Sequence, residues 1–176
     1  MRVAHLVPKS EPKSASKGNS GTLTAELDLM TPEKKSLGTI VESITFSRQG
    51  SNHIVDLHVT LRADQGMPLK MGDTEEGSLG LRFADEFRQD RGATLMNSDG
   101  LVTTEKIWGK RAKWVDYSTT LKGQKVGVAI FDHEKNPKHP TYWHARGYGV
   151  CAGNGFGEHD FHNDKARDGS KTIPKD

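Results

Sequence analysis

"HIVDLHVTLRA", His53 to Ala63, alternates strictly: Val55, Leu57, Val59 and Leu61 fall on one side of an extended chain, and Asp56, His58 and Thr60 on the other. A period of two is that of a β-strand with one apolar face, whereas a helix needs 3.6. The same alternation recurs in "TLTAELDL" (Leu23, Ala25, Leu27, Leu29), "TIVESITF" (Ile40, Ile44, Phe46), "SLGLRFAD" (Leu79, Leu81, Phe83) and "QKVGVAIFD" (Val126, Val128, Ile130). Turn-forming clusters such as "RQGSN" (Arg48 to Asn52), "NSDG" (Asn97 to Gly100) and "LKGQ" (Leu121 to Gln124) separate these runs, at the spacing of hairpins in an antiparallel sheet. No stretch of ten or more residues carries a helical stripe. The pattern predicts an all-β fold, an antiparallel β-sandwich or a large curved sheet with one buried face.

The chain has 176 residues, the size of one domain. Its hydrophobic share of 33% is low, so part of the chain is expected to stay unpacked. The deficit falls at the ends. Residues 1–21, closing with "KSEPKSASKGNSG", are read as a flexible tail, residues 22–163 as the β-sandwich domain, and residues 164–176 as a polar C-terminal tail.

Lys and Arg number 25 against 23 Asp and Glu, and no face collects them, so no nucleic-acid partner is expected. No apolar run approaches the ~18 residues of a membrane span, which excludes a spanning role by helices. The first residues are too short in apolar character for a signal peptide, so the chain as written is cytoplasmic, or periplasmic if a signal peptide lies upstream. The single cysteine, Cys151, can form neither an internal disulfide nor a thiolate zinc site, and reads as a buried small apolar residue.

Function must then be sought among polar residues opposite the apolar faces and in the loops. In "MGDTEEGSLGLRFAD", Met71 to Asp85, the acids Asp73, Glu75 and Glu76 sit in a glycine-closed loop and Arg82 follows on a strand. A carboxylate near an arginine can bind polar substrate groups or a cation. In "KIWGKRAKWVDYS", Lys106 to Ser118, Trp108 and Trp114 stand near Arg111 and Asp116. A flat indole suits the C–H face of a sugar, although both rings equally suit the end of a sandwich core. In "NPKHPTYWHARGYG", Asn136 to Gly149, a strand from Tyr142 would put His144, Arg146 and Tyr148 on one face and Trp143, Ala145 and Gly147 on the other. His144 can then act as general acid or base, Arg146 can hold a carboxylate or oxyanion, and Tyr148 can donate to a substrate oxygen. His133 and His139 precede that strand and are placed to close over the same site. A metal triad would take His139, His144 and Glu76, but no tight ligand spacing supports it and no cofactor is expected. GxSxG, P-loop, HExxH and dinucleotide fingerprints are all absent.

Taken in order, "GDTEEGSLGLR", "NSDG", "WGKRAKWVDYS", "IFDHEKNPKHPTYWHARGYG", "NGFG" and "DF" resemble the signature of soluble bacterial domains labelled the PmoA family, or "methane oxygenase PmoA", across roughly residues 22 to 173. The resemblance implies a mainly β fold related to galactose-mutarotase-like supersandwiches, and a carbohydrate role. It also implies that the chain corresponds to the C-terminal half of a longer member, so that the sandwich is incomplete and its open edges invite self-association. Glu75 stands where such domains carry a basic residue, which makes Glu76 the functional acid, and Gly155 replaces a proline.

The resulting expectation is a site that acts on a small-molecule or oligosaccharide substrate. His144 and Glu76 supply acid/base chemistry of hydrolase, lyase or epimerase type, while Arg82, Arg111, Arg146, Tyr148, Trp108, Trp114, His133 and His139 bind the substrate. Two rivals stand beside it: a non-catalytic sugar-binding module, and the metal-dependent oxygenase that the family label suggests.

Overall fold

The computed structural model describes residues 4–176, and the first three positions of the expected tail lie outside the described residues. The chain forms two compact units, Met1–Lys70 with Thr172–Asp176, and Met71–Lys171. The fold is all-β and its principal sheets are antiparallel. The two-unit division differs from the single sandwich expected for residues 22–163.

In the first unit, β1 (His5–Pro8), β2 (Lys13–Lys17), β3 (Ser20–Met30), β4 (Ser36–Gln49) and β5 (Asn52–Arg62) make one antiparallel sheet. Its order is β1-β3-β4-β5, with β2 also on β3. The register brings the alternating residues together: Leu23 faces Ile44 and Ile44 faces Leu57, while Phe46 faces Val55. The opposite face is polar, with Thr22 and Thr45 hydroxyls 2.9 Å apart. The strand expectation for "HIVDLHVTLRA" therefore holds, but the burial expectation does not. Val55 is 58% exposed, Phe46 50% and Val59 43%.

Two segments expected to be tails are strands. β2 pairs with β3 across the turn at Gly18, and β1 pairs with β3 further along. Near the C-terminus β13 (Lys171–Ile173) pairs with β6 (Leu69–Met71). Their polarity misled because an edge strand is held by backbone hydrogen bonds and can leave its side chains in water; every side chain of β1 and β2 is exposed.

The second unit is a small sandwich of two three-stranded antiparallel sheets. One has the order β10-β9-β8, from β8 (Thr94–Asn97), β9 (Trp114–Leu121) and β10 (Gln124–Phe131); the other has the order β11-β12-β7, from β7 (Leu79–Arg82), β11 (Tyr142–Arg146) and β12 (Val150–Asn154). Leu95, Val115, Tyr117 and Ile130 from the first sheet meet Trp143, Ala145 and Cys151 from the second in one core. Tyr117 joins the layers. Fully buried, it packs its ring 4.7 Å from Phe83 and directs its hydroxyl at the carbonyls of Val150 (3.0 Å) and Arg146 (3.2 Å). Cys151 is buried as expected, and burial pushes its thiol up to about 12, so it is no thiolate nucleophile. Helix is confined to short pieces, chiefly α1 (Thr104–Ile107) and α2 (Glu158–His162). No helix among the described residues is long and apolar enough to cross a membrane.

Candidate functional site

Because Trp143 and Ala145 enter the core, alternation sends Tyr142, His144 and Arg146 to the outer face of the β11-β12-β7 sheet. Register adds Arg82 to that face: Arg146 pairs with Val150, and Val150 pairs with Arg82. Tyr148 lies in the turn after β11, 45% exposed, with the Arg82 guanidinium 5.4 Å from its ring centre.

Two helices and one loop wall this face. Thr104, at the start of α1, donates its hydroxyl to the Ala145 carbonyl at 2.6 Å and its backbone N–H to Gln89 Oε1 at 2.9 Å. This brings Trp108 over β11. The chain then turns at Gly109, whose φ of +69° would strain any other residue and whose added Cβ would crowd Phe161 at 3.3 Å. Phe161 of α2 lies 5.3 Å from Trp108 and 5.5 Å from Tyr142, ring centre to ring centre, and closes that side.

The acidic loop is held from below. Asn154, fully buried, donates to the Thr74 carbonyl at 2.7 Å and accepts the Phe156 N–H at 2.7 Å. Gly77 lies so close to the Asn154 amide that a Cβ there would overlap it. Asp73 accepts the backbone N–H groups of His159 and Gly169. His159 places one ring nitrogen 2.8 Å from Asp73 and the other 3.0 Å from Asp160, and Asp160 accepts the Glu75 N–H at 3.1 Å. The chain Asp73, His159, Asp160 thus fixes the backbone of Glu75.

The result is a cluster centred on His144, which is 4% exposed. Trp108 Nε1 lies 3.3 Å from its Nδ1 and Arg146 Nε 3.3 Å from its Nε2. A neutral imidazole has one lone pair and one N–H, so it can accept from only one of these donors. Whichever nitrogen is bare accepts from the donor it faces, and the other sets its own N–H against a donor at 3.3 Å; Glu75 Oε2, 3.8 Å from Nδ1, stands beyond hydrogen-bond reach. Burial, then the Arg146 charge, holds the His144 pKa below its ordinary value, against the opposing charges of Glu75 and Glu76. Arg146 lies over the Trp108 ring at 5.0 Å and has Nη2 3.5 Å from Glu75 Oε2.

Of the ten residues expected at the site, His144, Arg146, Arg82, Tyr148 and Trp108 come together on this face. Glu76 is exposed and acts on His144 only through its charge; Glu75, passed over in the sequence, makes the contacts. Trp108 is not an open platform, because Arg146 lies on its face. Arg111 is spent on the loop before β11: it donates to the carbonyls of Pro140 and Lys138, both at 2.7 Å, and stacks over Tyr142. His139 belongs to the same loop, following Asn136 and preceding a cis Pro140. Its Nδ1 lies 2.7 Å from Asp132, which also accepts the Thr141 N–H and the Asn136 amide, each at 2.8 Å. His133 is exposed and accepts the Lys135 N–H. Trp114 alternates with buried Val115 and Tyr117, which places it on the outward face of the other sheet, where it tilts against Phe131. Among the described residues no group of three or more His, Cys, Asp or Glu side chains is placed to hold a metal ion, so His139, His144 and Glu76 do not form such a triad.

An all-β chain with a polar cluster on the outer face of one sheet is the class of protein this geometry defines. Over residues 5–176 the chain matches the model of a family of unknown function, DUF6807, and it belongs to that family. No curated protein and no solved structure matches it.

Proposed function

We propose that this protein binds a carbohydrate on the outer face of the β11-β12-β7 sheet, with Glu75, Arg82, Arg146 and Tyr148 touching the ligand and His144 holding Arg146 in place. The observation that carries the reading is the state of Arg146. Its flat face is covered by Trp108 and its Nε is engaged by His144, yet its side chain is 34% exposed, so the free N–H edge is presented to solvent in a fixed orientation. Glu75, 36% exposed, sets an acceptor beside that donor edge, and paired donors and acceptors at fixed spacing are what sugar hydroxyls require. The resemblance to the domains labelled PmoA, with its carbohydrate implication, points the same way.

Acid/base chemistry is the second reading, favoured by the lowered pKa of His144, which keeps the ring neutral near pH 7. It requires Arg146 to leave Nε2 when substrate enters. Titration of the full chain with neutral and acidic mono- and oligosaccharides, followed by NMR or calorimetry, tests the site. Binding that weakens in Glu75→Gln and is unchanged in Trp114→Ala, with both variants folded by circular dichroism, is the expected result. Absence of binding to every sugar, or binding indifferent to Glu75→Gln, overturns it.

A further inference from the structure

We infer that the ligand of this face is an acidic sugar, and that Arg82 and Arg146 grip the carboxylate of a uronic acid residue between them. This names the substrate class of the carbohydrate site and rests on that reading. Two guanidinium groups project from the same face at matching positions of β7 and β11, with only Val150 of β12 between them in register. Two strand spacings set their Cα atoms roughly 10 Å apart, a span that long side chains reaching from either side can close on a small anion.

Each guanidinium is stacked on an aromatic ring, Arg82 on Tyr148 at 5.4 Å and Arg146 on Trp108 at 5.0 Å. Stacking covers the flat face and leaves the in-plane N–H fork free, and that fork matches a carboxylate in a bidentate way. Neither fork is saturated by the protein. No carboxylate among the described residues forms an ion pair with Arg82. Arg146 reaches Glu75 only at 3.5 Å and His144 at 3.3 Å, both longer than the ~2.7–2.9 Å of a charge-assisted bond. A neutral sugar would offer these forks hydroxyls alone, whereas a uronate supplies the planar anion and keeps its hydroxyls for Glu75.

The test compares D-glucuronate and D-galacturonate with D-glucose and D-galactose, and includes inorganic phosphate as a non-sugar anion, each titrated into the full chain. The uronates are expected to bind at least about tenfold tighter than their neutral parents, the size of one charge-assisted hydrogen bond. Arg82→Gln and Arg146→Gln should each abolish that preference, and Arg146→Lys, which keeps charge but loses the fork, should recover only part of it. Equal affinity for uronates and neutral sugars overturns the inference while leaving the carbohydrate site standing. Phosphate binding that matches uronate binding overturns the sugar acid in favour of a general anion site. Failure of every sugar to bind removes both.

Discussion

Protonating His144 should loosen the fold, and the pH at which it does so follows from the site. The ring is buried, and each of its nitrogens faces a donor at 3.3 Å, Trp108 on one side and the Arg146 guanidinium on the other. Burial deprives the imidazolium of water, and a second ring proton would also set it against the Arg146 guanidinium, which is why the folded pKa lies below the ordinary 6.5. In the unfolded chain the ring takes up a proton near pH 6.5; in the folded chain it does so only at lower pH. Between those two values the unfolded state binds more protons, so stability falls as pH drops through the window and is fully recovered above it. Below the unfolded value, each pH unit over which the folded ring stays neutral costs at most about 1.4 kcal/mol, the free energy of one pKa unit. His144→Gln keeps a group that can accept from Arg146 but cannot titrate. Urea unfolding of both proteins from pH 7.5 to 5.0 isolates the effect, because every other carboxylate and histidine contributes to both curves. The wild type should lose stability relative to the variant by up to about 1.4 kcal/mol per pH unit below 6.5. Parallel pH profiles would refute the placement of a neutral His144 against Arg146.

Two further substitutions probe the scaffold. Tyr117→Phe deletes the hydroxyl that spans the Arg146 and Val150 carbonyls, while Gly149 N–H still satisfies the former at 3.0 Å; the expected cost is about 1–1.5 kcal/mol, read as a fall in Tm of about 2–6 °C, and an unchanged Tm would show that the two sheets do not depend on that contact. Asp132→Ala strands the Thr141 N–H, the Asn136 amide and His139 Nδ1 at once, so urea denaturation should show a loss of about 2–4 kcal/mol, accompanied by faster proteolysis between residues 133 and 140; a loss below about 1 kcal/mol would mean that the loop before β11 has another anchor.

Period two was legible throughout, because it is a property of the backbone that no tertiary context can hide: Val55, Leu57 and Val59 sit on one face as their spacing requires. Whether that face is covered is not a local property, and here it stays open at Val55, Phe46 and Leu23. The same distinction explains the supposed tails. Lys13–Lys17 holds no residue that needs burial, yet its backbone completes hydrogen bonds left open at the edge of β3, and pairing of that kind leaves no trace in hydropathy.

At the site the strand residues were readable and the loop residues were not. His144, Arg146 and Arg82 lie on strands, where alternation assigns a face and register assigns neighbours. Glu75 and Glu76 lie in a loop with no period, so composition could not choose between them. The choice is made by contacts far along the chain: Asp160 takes the Glu75 N–H, and Asn154 takes the Thr74 carbonyl and leaves no space for a side chain at Gly77. Turned inward by these, Glu75 comes to within 3.5 Å of Arg146 and 3.8 Å of His144, while Glu76 faces water. Nothing in the spacing of Asp73, His159 and Asp160 announces that they meet, since 86 positions separate the first from the second. Once folded, His159 and Asp160 of "EHDFH" join Asp73 as a mount for the acidic loop, and that mount holds the Glu75 carboxylate beside Arg146.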